Sequence, residues 1–177
     1  MAPRDGIVPD TKDWTWVLDR ACSECGLDTR TIPRETVPSL IRDAAETFHR
    51  QLTGQESARV RPAPDVWSTL EYGCHVRDVF RIFAERLRLM LPQDDPLFAN
   101  WDQDATAVED RYADQDPAVV ADELRDAAAV IADRFSQVAG GDWERTGRRS
   151  DGAHFTVESF ARYLVHDPVH HLHDVTT

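Results

Sequence analysis

Four stretches of this chain carry apolar residues at helical spacing, and no stretch shows the sustained alternation that is typical of a β-strand. Three stretches cover about residues 38–52, 69–91 and 117–138, and a fourth begins after Thr156. Four amphipathic helices of this length can bury one core together. The sequence therefore predicts an all-α fold, a four-helix bundle that forms a single domain.

Residues with known capping preferences stand at the predicted helix ends. Ser68 and Glu71 have the S-x-x-E spacing of a capping box at the start of the second helix. Asp116 precedes a proline that suits the first turn of the third helix. Thr36 is the predicted cap of the first helix. These signals set the expected bounds of the bundle helices.

The segments outside the four helices predict an arm and a crossover. Residues 1–33 are expected to form an N-terminal arm that packs on the bundle, and residues 34–177 the bundle itself. The link over residues 92–116 is long and acidic, so it cannot be a tight hairpin. We expect it to cross an end of the bundle and to cover a site. Its predicted anchors are Phe98, Trp101 and Tyr112.

The charge of the chain limits the partners that it can have. The 177 residues have a formal net charge of −12, which disfavours nucleic acid and anionic membrane surfaces. No apolar run approaches the roughly 18 residues of a membrane-spanning helix. The N-terminus lacks the apolar region of a signal peptide, so a cytoplasmic location is predicted. A small-molecule substrate fits these observations best.

The segment ARYLVHDPVHHLHDV, residues 161–175, contains four of the seven histidines. His166 and His170 have the i, i+4 spacing that places two side chains on one face of a helix. His173 continues that face at i+7, whereas His171 points about a quarter turn away. Pro168 lies between the first two histidines and predicts a kink or the start of a last helical segment. Two imidazoles at this spacing can bind one metal ion.

His75 is the predicted third ligand, because it lies early in the second helix and is flanked by apolar residues. Helices two and four of a bundle can bring His75 together with His166 and His170. Three neutral imidazoles leave a fourth position open, which is the pattern of a catalytic zinc ion rather than a structural one. The open position would hold water or a small thiol.

Three further residues are candidates for catalytic or supporting roles, namely Tyr163, His173 and Asp167. Arg77 and Arg162 are candidates for binding an anionic substrate. A different reading gives the ion a fourth protein ligand, either His173 or an aspartate, so that it stabilises the bundle or a dimer without catalysis. A third reading is a small-ligand binding module that contains no metal.

Cys22 and Cys25 have the C-x-x-C spacing of half a zinc knuckle. A histidine such as His49 or His154 could complete a site, but the preferred reading is two reduced thiols in an ordered N-terminal loop. Cys74 is read as a small core residue, with a contact to the metal pocket as the alternative.

Three motifs resemble the DinB/YfiT-like family of metal-binding four-helix bundles: YGCHVRD, NWDQDATAVEDRY and LVHDPVHHLHDV. The resemblance covers about residues 36–174 and implies up-down-down-up connectivity. It also implies a divalent metal on three histidines, which match His75, His166 and His170 here. The metal is expected to be Zn²⁺, with Ni²⁺ or Fe²⁺ as alternatives. Because bundles of this family often pair as dimers, the resemblance also implies a homodimer.

The resemblance implies a metal-dependent enzyme that activates a small thiol, as in mycothiol- or bacillithiol-dependent transferases and isomerases, or that activates water. The alternative is a non-catalytic metal-binding or interaction protein of the same family. The chain differs from these relatives in two respects, so the exact reaction of the relatives is not assigned to it. The chain continues with His171-Leu172-His173-Asp174 where relatives have a GQ-type continuation, and it lacks the second C-terminal domain of the mycothiol-dependent isomerases.

Overall fold

Four long helices form the bundle that the sequence predicts, in a computed structural model that describes residue 7 and residues 9–177. The helices are α1 (Val37–Gly54), α2 (Thr69–Met90), the short α3 (Gln103–Glu109), α4 (Pro117–Ser136) and α5 (Val157–Thr176). Helices α4 and α5 each pack against both α1 and α2, which are diagonal to one another. The all-α, up-down-down-up bundle is confirmed.

Capping explains where two of the helices begin. The hydroxyl of Ser68 accepts a hydrogen bond from the backbone N–H of Glu71, whose carboxylate accepts one from the backbone N–H of Ser68. Asp116 accepts hydrogen bonds from two N–H groups in the first turn of α4. Thr36 is the N-cap residue of α1, as predicted, but its side chain makes no capping hydrogen bond: a short 3₁₀ turn leads into α1, and the hydroxyl donates to the carbonyl of Pro33 instead.

A small sheet of three strands joins the crossover to the start of α5. The strands are β1 (Leu97–Phe98), β2 (Thr146–Arg149) and β3 (His154–Thr156), with β1 parallel to β2 and β2 antiparallel to β3. Gly147 permits the close approach of the sheet to α2, since a Cβ atom there would lie 2.8 Å from Cγ of Met90. Strands of two to four residues are too short to show alternation, which is why the sequence does not predict them.

The crossover between α2 and α4 runs back along α2, with Phe98 beside Arg86 and Tyr112 beside Cys74 and Asp78. Phe98 and Tyr112 are buried, and the ring of Trp101 stacks on that of His75 with centroids 5.5 Å apart. The hydroxyl of Tyr112 donates to Oδ2 of Asp78 at 2.5 Å, inside the protein. The crossover therefore fixes the part of α2 that carries His75.

The described part of the N-terminal arm packs on α5. Its 3₁₀ turns span Trp14–Leu18 and Thr29–Thr31, and Val17 and Ile32 are buried. Residues 1–6 and 8 of the predicted arm lie outside the described residues. Within the part of the chain that the structure describes, no helix is both long and apolar enough to span a bilayer.

The hydrogen bond from Tyr112 to Asp78 gives a prediction about stability. Tyr112→Phe removes only the hydroxyl and leaves a buried carboxylate without one partner, so we expect the free energy of unfolding to fall by about 1–3 kcal/mol. Urea unfolding followed by circular dichroism measures the change. Tyr72→Phe is the matched control, because the Tyr72 hydroxyl makes no hydrogen bond to the described residues. Equal losses in the two variants would contradict the assigned role of this bond.

Candidate metal centre

Helix α5 presents metal-binding side chains on two adjoining stripes. Each residue of an α-helix is rotated by about 100° from the one before, so residues four apart share a stripe. His166 and His170 lie on one stripe, and Asp167 and His171 lie on the next. The helix continues through Pro168, and the rings of His166 and His170 have centroids 5.1 Å apart. Both pairs therefore keep helical spacing.

The first stripe faces the N-terminal arm. One donor atom each from Cys22, Cys25, His166 and His170 lie within 4.8 Å of one another, and we call these residues the Cys2His2 set. Sγ of Cys22 is 3.7 Å from Nδ1 of His170, and Sγ of Cys25 is 3.7 Å from Nε2 of His166. Trp14 covers the two imidazoles, with ring centroids 5.5 and 5.0 Å away.

A tight turn of the arm holds the two cysteines together. The backbone N–H of Gly26 donates to the carbonyl of Cys22, and the N–H of Cys22 donates to the carbonyl of Leu27. Gly26 has a φ of +78°, a left-handed conformation that favours glycine. The hydroxyl of Thr29 donates to the carbonyl of Val17 and ties the turn to the preceding 3₁₀ segment. The C-x-x-C-G sequence therefore aims both sulphur atoms at α5.

The second stripe faces α2. Donor atoms of His75, Asp167 and His171 lie within 4.8 Å of one another, and we call them the His2Asp set. Nε2 of His75 is 3.2 Å from Oδ2 of Asp167, and Nε2 of His171 is 3.7 Å from the same oxygen. Nδ1 of His171 lies 2.9 Å from Oδ2 of Asp174, which fixes the orientation of the ring. Trp67 and Trp101 both pack on His75.

Burial and neighbouring charges tune the protonation of the α5 side chains. Burial, aided by the imidazole of His170, lowers the pKa of His166 to about 4, and burial also lowers the pKa of His170. Burial opposes ionisation of Asp167, but the imidazoles of His75 and His171 hold its pKa at about 2. Burial opposes charge on His171 too, yet the carboxylates of Asp167 and Asp174 raise its pKa. The two histidines of the Cys2His2 set are thus neutral near pH 7, which is the form that binds a metal.

A cavity of about 510 Å³ adjoins both sets. Arg86 and Arg149 line it beside Tyr163, whose hydroxyl accepts a hydrogen bond from Nη1 of Arg149 at 3.4 Å. Arg149 also pairs with Asp151. Arg86 is only 7% exposed, donates to the carbonyl of Ala99, and makes no ion pair with any described carboxylate. Burial and the nearby Arg149 lower the pKa of Arg86 to about 10, so it stays charged at neutral pH.

The structure divides the three predicted metal ligands between the two sets. His166 and His170 belong to the Cys2His2 set, whereas His75 belongs to the His2Asp set, although all three line the cavity. Of the other candidates, Tyr163 and Asp167 line the cavity. His173 belongs to neither set and is not among the residues that line the cavity.

The two arginines predicted to bind an anion lie in ion pairs away from the cavity. Arg77 pairs with Asp78 and Glu123, and Arg162 pairs with Glu158. The arginines of the cavity, Arg86 and Arg149, were missed because nothing in the local sequence separates them from the other arginines.

Cys22, Cys25 and Cys74 form no disulfide, and Cys22 and Cys25 lie in a loop of the arm beside His170 and His166. Their suggested histidine partners are wrong: His49 pairs with Asp122, and His154 is exposed in β3. Cys74 is a core residue, as predicted, and burial raises its pKa to about 12. It is not among the residues that line the cavity.

Both sets have donors that suit a divalent metal. Two cysteines with two histidines form a common closed zinc site, and two histidines with a carboxylate occur in catalytic zinc and iron sites. In the His2Asp set, Nδ1 of His75 and Oδ1 of Asp167 are buried without a hydrogen-bond partner among the described residues. Buried polar atoms without a partner are costly, so their presence here fits a bound ligand.

Comparisons with known proteins agree with this architecture. A family model described as the DinB superfamily matches residues 39–175. The solved structure of YfiT from Bacillus subtilis, described as a probable metal-dependent hydrolase with an unusual four-helix bundle topology, matches with a TM-score of 0.70. The match has 14% sequence identity and covers 79% of this chain and 82% of YfiT, so it shows a shared fold. No curated protein matches the chain.

Removal of bound metal tests the donor sets as a whole. We expect untagged protein to contain divalent metal and to melt at a lower temperature after a chelator has stripped it. A ligand at a hundredfold excess over its Kd stabilises the folded state by about 2.7 kcal/mol, so added Zn²⁺ should restore the melting temperature. Elemental mass spectrometry and differential scanning calorimetry measure the two quantities. A stripped protein whose melting temperature does not respond to Zn²⁺ or Ni²⁺ would contradict the assignment.

Proposed function

Because the chain belongs to the DinB superfamily, we propose that it is a divalent-metal-dependent enzyme that hydrolyses a small anionic substrate in the cavity beside α5. The shared fold with a protein described as a probable metal-dependent hydrolase supports this proposal. The observation that carries it is the His2Asp set, which offers three donors at the wall of a cavity large enough for a small organic molecule.

An incomplete donor set favours catalysis over a structural role. His75, Asp167 and His171 supply three ligands, which leaves a coordination position for water or substrate. A bound divalent ion acts as a Lewis acid and lowers the pKa of a coordinated water to about 7. The side chains of this chain orient the site: Asp174 holds the ring of His171, and Trp101 stacks on His75 and shields it from bulk water.

The environment of Arg86 is the reason to propose an anionic substrate. A nearly buried guanidinium without a carboxylate partner is an unusual feature, because buried charges are normally paired. It lies against the rings of Phe83 and Phe98, which hold it in place at the cavity. A substrate carboxylate or phosphate group would supply the missing counter-charge of Arg86.

Two alternatives concern the same cavity. A metal-bound position that takes water also takes a small thiol, so thiol transfer of the mycothiol type is the second candidate reaction. An ion on His75, His166 and His170 is the second candidate for the ligand set, since all three residues line the cavity. His171→Ala separates the two ligand sets, because it removes a ligand from the His2Asp set alone.

Activity measurements with ligand variants test the proposed site. With a panel of small carboxylate- or phosphate-bearing esters and amides, and with thiols as alternative nucleophiles, we expect metal-dependent turnover by the wild type. Asp167→Asn should lower kcat by more than the roughly 10- to 100-fold that follows removal of an outer partner of a metal ligand. His49→Ala is the control, because His49 lies outside both sets.

Two outcomes of these activity measurements would contradict the proposed site. A metal-loaded protein without turnover of any member of the panel would favour a non-catalytic metal-binding protein. Equal activities of Asp167→Asn and His49→Ala would show that the His2Asp set is not the catalytic site.

Arg86→Met tests the substrate class. The change keeps an unbranched, largely apolar side chain but removes the guanidinium and its charge, and hydrogen bonds to charged groups contribute about 1.5–3 kcal/mol. We therefore expect kcat/KM for an anionic substrate to fall about 10- to 150-fold, mostly through KM. Arg162→Met is the matched control, since Arg162 pairs with Glu158 away from the cavity. A fall of the same size for a neutral analogue of the substrate would show that charge recognition is not the role of Arg86.

A further inference from the structure

The geometry points to a second metal site with a different purpose: one Zn²⁺ ion, bound by Cys22, Cys25, His166 and His170, fastens the N-terminal arm to α5. The inference does not depend on the proposed hydrolysis, because it concerns the Cys2His2 set and not the His2Asp set. Cys22 and Cys25 lie before residue 39, where the family match begins, so the site joins an additional segment to the bundle of the family.

The distances agree with tetrahedral coordination. Zinc binds sulphur at about 2.3 Å and nitrogen at about 2.0–2.1 Å, so two such ligands at the tetrahedral angle lie about 3.5–3.6 Å apart. The structure has 3.7 Å between Cys22 Sγ and His170 Nδ1, and 3.7 Å between Cys25 Sγ and His166 Nε2. Two independent sulphur–nitrogen pairs thus have the spacing that one central ion requires.

The charges of the four donors balance those of a zinc ion. Two thiolates and two neutral imidazoles carry a total charge of −2, so a buried Zn²⁺ complex is neutral. Binding forms two zinc–sulphur and two zinc–nitrogen bonds, and the two cysteine thiols release their protons to solvent. Cys22, His166 and His170 are buried, where a neutral complex is far less costly than separate charges.

The surroundings of His170 support a metal ligand. Its Nδ1 faces Cys22, and its Nε2 lies 3.5 Å from Oε2 of Glu24 and 3.8 Å from Oδ2 of Asp174. A histidine that binds a metal through one nitrogen commonly donates the N–H of the other to a carboxylate. Glu24 lies between the two cysteines in sequence, so one turn of the arm supplies two ligands and the carboxylate that orients a third.

Four protein donors make this site structural. They complete a tetrahedral shell and leave no position for water or substrate, unlike the three donors of the His2Asp set. Trp14 covers both imidazoles from the side of the arm. The ion would therefore hold the arm against α5, and through Trp14 and Pro9–Asp13 it would fix one wall of the cavity.

Cobalt substitution in the full-length, untagged protein tests the site directly. Co²⁺ bound by two thiolates gives an intense sulphur-to-cobalt charge-transfer absorption in the near ultraviolet and strong visible bands typical of tetrahedral coordination. We expect the charge-transfer absorption in the wild type, its displacement by added Zn²⁺, and its loss in the variant Cys22→Ser/Cys25→Ser. Cys74→Ala is the matched control, because Cys74 is buried outside the set, and it should keep this absorption.

Hydrogen exchange of the arm supplies a readout that is independent of the metal spectrum. In the double cysteine variant, exchange over residues 14–31 should rise about tenfold or more, while α1 and α4 remain protected, because opening of the arm no longer breaks metal bonds. Protected α1 and α4 also show that the variant has folded.

The variant His75→Ala separates this inference from the proposed function. It should keep the thiolate–cobalt absorption even though it loses a ligand of the His2Asp set. Two results would overturn the proposed zinc site. One is a wild type that binds Co²⁺ without thiolate absorption, and the other is a wild type that forms a Cys22–Cys25 disulfide under reducing conditions instead of binding metal. Failure of the hydrolysis assays with the thiolate absorption intact would overturn the proposed function alone.

Discussion

The helical repeat of α5 is the constraint on which the rest of the site depends. Residues 166 and 170 lie on one stripe of the helix and residues 167 and 171 on the adjoining stripe, because each residue turns the helix by about 100°. One stripe meets the arm and the other meets α2, so a single helix serves two donor sets of different composition. The arm and the crossover each place a tryptophan on their own set, Trp14 on the first and Trp101 on the second.

The sequence predicted the four bundle helices well, because the signals that define them are local. The capping box of Ser68 and Glu71 and the cap at Asp116 act within one turn, and apolar periodicity identifies the buried face of each helix. Helix α3 and the three strands were not predicted. These elements are short, and the sheet forms only because β1 meets β2 across about fifty residues of chain, a pairing that no local pattern encodes.

The sequence identified several residues of the two donor sets but not which of them lie together, because that depends on contacts between distant parts of the chain. Helical spacing identified His166 and His170 as a pair, but it did not reveal which elements the pair faces. His171 was considered poorly placed because it points a quarter turn away, and that quarter turn is what carries it to His75. The C-x-x-C spacing marked Cys22 and Cys25, yet their histidine neighbours lie 148 and 141 residues further along the chain. Partners so distant in sequence depend on how the arm packs on α5.

The separation of the two donor sets is the central claim, and anomalous diffraction at the zinc edge tests it most directly. Crystals of untagged, zinc-loaded protein should show two anomalous peaks per chain. One should lie among Cys22, Cys25, His166 and His170, and the other beside His75, Asp167 and His171. A single peak coordinated jointly by His75, His166 and His170, with both cysteines unligated, would contradict the account and restore the three-histidine site expected from the sequence.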